Sequence, residues 1–162
     1  MKNTMMLVVL AMTPALFAQD CKTVITTDVQ AVVADLSAIA LQAKAQQFPQ
    51  AVDQLAADLE AILPLLTRPD QLAVEKFLTD LDAAVSASGP GGTKITSVER
   101  VVLTNDLLAI VNSTGMTESQ METILTDLAA VTASLSGISA AQLQNDIQKL
   151  KTDLRACVPA KP

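Results

Sequence analysis

Residues 126–131 read TDLAAV (Thr126, Asp127, Leu128, Ala129, Ala130, Val131), and the core of this run, Asp-Leu-x-Ala, recurs along the chain. It occurs six times, with the Asp at positions 35, 58, 80, 106, 127 and 153. The intervals are 23, 22, 26, 21 and 26 residues, which makes the phrase an internal repeat. Around each Asp, apolar residues stand at −3, +1 and +4. The sets are Val32/Leu36/Ile39, Leu55/Leu59/Ile62 and Phe77/Leu81/Ala84, followed by Leu103/Leu107/Ile110, Ile124/Leu128/Val131 and Leu150/Leu154/Cys157. Steps of four and three mark the buried stripe of an amphipathic helix. Each repeat unit is therefore one helix and a short loop, and no segment alternates as a strand does.

Punctuation residues set the helix ends. Thr96-Ser97-Val98-Glu99, Thr117-Glu118-Ser119-Gln120 and Ser139-Ala140-Ala141-Gln142 have the capping-box form. Pro49 and Pro69 suit a first turn, Pro64 follows the stripe of its helix, and Gly115 and Gly137 suit helix stops. The spacing predicts helices over 26–46, 49–64, 69–87, 96–113, 117–135 and 139–157. The expected fold is all-α, an antiparallel bundle of six short helices. Within the phrase, Leu at +1 is expected in the core, Ala at +3 where a neighbouring backbone comes close, and Asp on a solvated rim.

The N-terminus reads as a signal peptide over residues 1–18. Lys2 supplies a positive start, Met5 to Phe17 are almost wholly apolar, and Ala18 precedes a cleavage point before Gln19. Cys21 follows Ala-Gln-Asp, which is no lipoprotein signal, and no further membrane span is expected after cleavage. Residues 19–162 form one all-α domain, with a possible division into 19–87 and 95–162 at the flexible stretch Ser86 to Thr93.

Cys21 and Cys157 are the only cysteines, and in an exported chain they are expected to form one disulfide. An antiparallel array with an even number of helices brings its first start and last end together, so the bridge would close the bundle. Exposure to an oxidising periplasm or cell exterior follows from the same reading.

Composition excludes more than it suggests. Without Lys2, 10 basic residues face 17 acidic ones, a balance opposed to nucleic acid and anionic lipid. His, Trp and Tyr are absent, so the chain lacks the commonest general base, the commonest zinc ligand and any stacking platform. No Ser-x-x-Lys, Gly-x-Ser-x-Gly or calcium-loop spacing occurs. No catalytic, cofactor-binding or metal-ligating residue is expected, and the chain is read as a non-enzymatic monomer. Its expected role is interaction or structure, through an unidentified protein partner. The alternative is a carrier of an apolar small molecule or a binder of a hydrophobic surface. On that reading Met116 and Met121 are the candidate apolar contacts.

Overall fold

The computed structural model describes residues 14–43, 47–86, 94–133, 135 and 138–157. They form six α-helices: α1 (Pro14–Gln42), α2 (Gln47–Glu60), α3 (Arg68–Ser86), α4 (Ser97–Val111), α5 (Glu118–Ala133) and α6 (Ile138–Cys157). A short 3-10 turn, Leu63–Leu65, links α2 to α3, and no strand occurs among the described residues.

The repeated stripe is the core. Leu at +1 is buried in all six copies: Leu36, Leu59, Leu81, Leu107, Leu128 and Leu154. All six residues at −3 are buried as well, from Val32 to Leu150. At +4 the rule holds for Ile39, Ala84, Ile110 and Val131. Its two departures have local causes. Ile62 lies beyond the end of α2 and is half-buried, and Cys157 is spent on the disulfide.

The other two phrase positions differ from expectation. Ala at +3 is exposed at Ala61, Ala83, Ala109, Ala130 and Ala156, and only Ala38 is half-buried. At about 100° per residue, this position lies roughly 130° from the stripe centre, on the outer face. Asp lies only about 70° away by the same geometry. None of the six is exposed: Asp106 is buried, and Asp35, Asp58, Asp80, Asp127 and Asp153 are half-buried. The rim of each helix faces a neighbouring helix, not water.

Each helix packs chiefly on two others. The order around the bundle is α1, α6, α5, α2, α3, α4 and back to α1. Exchanging α1 with α4, α2 with α5 and α3 with α6 leaves this ring unchanged. The two three-helix halves thus carry the same neighbour relations. Their side chains join one continuous hydrophobic cluster that runs from Ile25 to Leu154. Partners along α1 and α6 run in opposite senses, Cys21 with Cys157, Asp28 with Lys149 and Gln42 with Ser139, so the two helices are antiparallel. The same holds for α3 and α4, where Asp70 meets Ser113 and Lys76 meets Asp106.

The disulfide expected from the sequence is present, with Cα atoms 5.5 Å apart, and no free cysteine remains. Its setting differs in one respect. α1 begins before Cys21, so this residue lies inside the helix and not ahead of it. Asp20–Gln42 is the one described helical stretch long and apolar enough to cross a membrane by length and composition. Half of an 18-residue apolar span within it is buried inside the bundle, and Cys21 and Asp28 tie the helix to α6. The positive start and most of the apolar run of the expected signal peptide, residues 1–13, lie outside the described residues, as do Gly137 and the Gly-rich stretch 89–92.

Helix ends follow their caps. Thr96 accepts from Glu99 N–H, and the Glu99 carboxylate accepts from Thr96 N–H at 2.6 Å, a complete capping box. Thr117 and Gln120 make the same exchange ahead of α5. The third expected box does not form. α6 starts at Ile138, so Ser139 is already inside it and donates to the Gln42 side chain of α1, while Gln142 donates to Asp146. α2 stops at Glu60, ahead of Pro64, and the chain tightens into i→i+3 bonds because the Pro64 nitrogen cannot donate. Side-chain amides also serve the carbonyls of this turn. Gln71 donates to Leu63 and Leu66, and Gln120 donates to Leu65.

Candidate functional site

Three kinds of feature could carry function: polar groups held between helices, concavities, and exposed apolar side chains. The polar groups are the most organised, and the repeat places them. In α3 and α6 a Lys precedes the phrase Asp by four residues, which puts both on one helix face. Lys76 donates to Asp80 at 2.5 Å and to Asp106 of α4 at 2.6 Å. Lys149 donates at 2.6 Å both to Asp153 and to Asp28 of α1. Each ammonium thus clamps two carboxylates across a helix seam. The two clamps correspond under the exchange of halves, except that α1 contributes Asp28, seven residues before its phrase Asp.

Electrostatics within the clamps follow burial. Burial pushes the Asp28 and Asp106 carboxyls above the ordinary range, against the pull of their lysines. Asp80 and Asp153 are less buried, and hydrogen bonds from Lys76 and Lys149 hold them below it. Both lysines are raised in turn, Lys76 chiefly by Asp106 and Lys149 chiefly by Asp153. About 60% of each lysine side chain is exposed (60% for Lys76, 58% for Lys149), so the ammonium groups stay close to water while the inner carboxylates are 5–6% exposed. With the ammonium groups this exposed, each ion pair adds only modestly to stability.

Two further acidic pairs have no clamp. On the α2–α5 seam Asp127 is raised, first by burial and then by the charge of Asp58. On the α1–α6 seam Asp35 is raised to about 7, first by burial and then by Asp146.

A third buried carboxylate, Asp70, locks a corner of the bundle. It accepts from Thr67 at 2.6 Å and from Ser113, whose hydroxyl also accepts from the N–H groups of Gly115 and Met116. A Cβ at position 115 would stand 2.7 Å from Asp70 Oδ2, so this glycine is required by close approach and not as a helix stop. A Ser hydroxyl beside a carboxylate can resemble a nucleophile and its base. Here the hydroxyl is consumed in ordering the α4–α5 loop against the start of α3.

Two concavities lie on the seams that join the halves. One open groove of about 430 Å³ runs between α1 and α4, with Val33, Ala34, Val101 and Leu108 among its walls and Arg100 as its one charged residue. The other, about 450 Å³, runs between α2 and α5 and includes Gln50, Gln54 and Asp58. Beside the first, Val98 and Val101 are 72% and 60% exposed. The Met116 and Met121 side chains are elsewhere: both are buried in the core, and neither lines a groove.

Among the described residues no three carboxylate or cysteine groups converge as a metal site would require. The clamps were partly legible in the sequence, through the Lys-x-x-x-Asp spacing at 76/80 and 149/153. Asp28 carries no such signal, because its partner Lys149 comes from another helix, and the Ser113 contact of Asp70 spans 43 residues of chain. No protein family, curated sequence or solved structure matches this chain.

Proposed function

We propose that this chain is an exported, non-enzymatic protein that acts by presenting the outside of a disulfide-closed helical bundle to a protein partner. The observation that carries this reading is the filled interior. One cluster of side chains occupies the bundle from α1 to α6, and the two concavities described above are open grooves on the outer seams. An interior ligand would have to displace residues such as Leu107 and Leu143, both fully buried. The acidic surface and the scarcity of aromatic groups favour a protein partner over nucleic acid or sugar. A carrier of an apolar molecule is the second reading, supported by the mostly apolar α1–α4 groove beside Val98 and Val101.

The two readings separate in one titration. With 1-anilinonaphthalene-8-sulfonate added to the folded protein at neutral pH, an interaction protein gives weak, non-saturating fluorescence. Saturable binding near one dye per chain, competed by a fatty acid, replaces that reading with the carrier.

Export supports the same proposal. An apolar N-terminal helix is compatible with a signal sequence, and a disulfide suits an oxidising compartment. Cleavage before Gln19 would remove the first residues of α1 and leave Cys21 as the third residue of the mature chain. The intact mass of the protein from the culture's envelope or medium is expected to begin at Gln19. A mass that retains Met1 there would contradict the cleavage.

A further inference from the structure

The antiparallel register that sets Asp28 opposite Asp153 also sets Asp35 opposite Asp146, since each step is seven residues along its own helix. The first pair is clamped by Lys149, whose ammonium is committed to Asp28 and Asp153. Among the described residues the second has no cation. Gln42 and Ser139, hydrogen-bonded at 3.1 Å, lie one further step of seven along both helices. Asp35 and Asp146 therefore face each other midway between two observed contacts, and two facing carboxylates become bonded only when one of them carries a proton. Asp146 accepts from Gln142 at 3.2 Å, whereas Asp35 Oδ2 is buried and makes no hydrogen bond among the described residues.

We propose that the Asp35–Asp146 contact is a proton-operated latch on the α1–α6 seam, closed by a shared proton in mildly acidic surroundings and weakened when both carboxyls ionise. The disulfide holds the far end of the same seam under all these conditions. Ionisation therefore loosens only the part of α6 that runs from Ile138 to Asp146. Other charges facing Asp35 do not relieve it. On α1 the nearest is Asp28, itself acidic, and on α6 Lys149 is already paired. On α4, which packs against the other side of α1, Arg100 lines the outer groove and Asp106 is bound to Lys76.

The sign follows from linkage. The folded state keeps a proton on Asp35 up to about 7, while the unfolded chain loses it near its ordinary value of 3.8. Between those limits the folded state binds more protons, so stability is full at the acidic end and falls as pH rises. The latch thus works opposite to common acid denaturation.

Native-state amide hydrogen exchange on the full disulfide-bonded protein tests it, with intrinsic rates corrected at each pH. Protection of the α6 amides from 138 to 146 is expected to fall by about tenfold or more between pH 5 and pH 8. Amides of the Lys76-clamped α3–α4 seam serve as the internal reference and should change much less. In Asp146→Asn, an amide donor replaces the proton and the pH dependence at 138–146 should shrink markedly, leaving the part due to burial of Asp35. Carbon-13 carboxyl titration of the unmodified protein reads the same group without any substitution, and Asp35 should titrate near about 7. An ordinary Asp35 titration overturns the latch, and so does an equal pH dependence in Asp146→Asn and the parent chain.

Discussion

Reduction of the Cys21–Cys157 bridge is expected to lower stability by about 2–5 kcal/mol, the largest effect available from a single covalent change in this chain. The bridge spans 136 residues, and in the chain-entropy description a loop of that length removes much of the freedom of the unfolded ensemble. Both sulfurs belong to helix residues that pack against each other, and both residues are half-buried. Had Cys21 preceded its helix, Cys21→Ser would have been the milder variant. Since it lies within α1, Cys21→Ser and Cys157→Ser should cost nearly the same, each losing the one bridge. Urea denaturation of the oxidised, reduced and Ser-substituted proteins measures this. A cost below about 1 kcal/mol would show that the α1–α6 packing alone closes the ring, with the bridge adding little.

Leu107→Ala is expected to cost about 3–5 kcal/mol, because Leu107 has no exposed surface and its four-carbon side chain sits at the stripe centre of α4. The equivalent substitution in the last repeat, Leu154→Ala, should cost about 2–3 kcal/mol, since that residue keeps 7% of its surface exposed near the end of α6. The order matters more than the values. If the six leucines were interchangeable repeat residues, both truncations would cost the same, and chemical denaturation at unchanged m-value would show it. The core instead grades them by how completely neighbouring helices surround them.

Expected costs at phrase alanines are small for the converse reason. Ala83 and Ala109 face outward, where surface substitutions seldom shift stability by more than about 0.5 kcal/mol. The phrase therefore separates into an inner Leu, an interfacial Asp and an outer Ala. Only the first of these roles was clear from the spacing read as a linear pattern.

The sequence alone determined the helical class, the helix count, the core stripe and the covalent closure. Each of these rests on information local to one segment, or on only two cysteines existing to pair. Helix period fixes which residues share a face, so Leu36, Leu59, Leu81, Leu107, Leu128 and Leu154 could be assigned inward before any partner was known. Capping at Thr96 and Thr117 was legible because both halves of each box lie within one turn. Ser139 misled, because its hydroxyl serves Gln42 on another helix.

Tertiary structure decided the rest, which depends on which helix stands beside which. The ring order joins α1 to α4 and α2 to α5, and no periodicity within a helix encodes it. That order turns rim aspartates into buried pairs. Lys149 reaches Asp28 across 121 residues of chain, Lys76 reaches Asp106 across 30, and Asp35 faces Asp146 with no cation between them among the described residues. The charge of a carboxylate is written in the sequence, but its desolvation and its neighbour are not. Those two quantities decide whether an Asp is a solvated flank, a clamped ion or the holder of a shared proton.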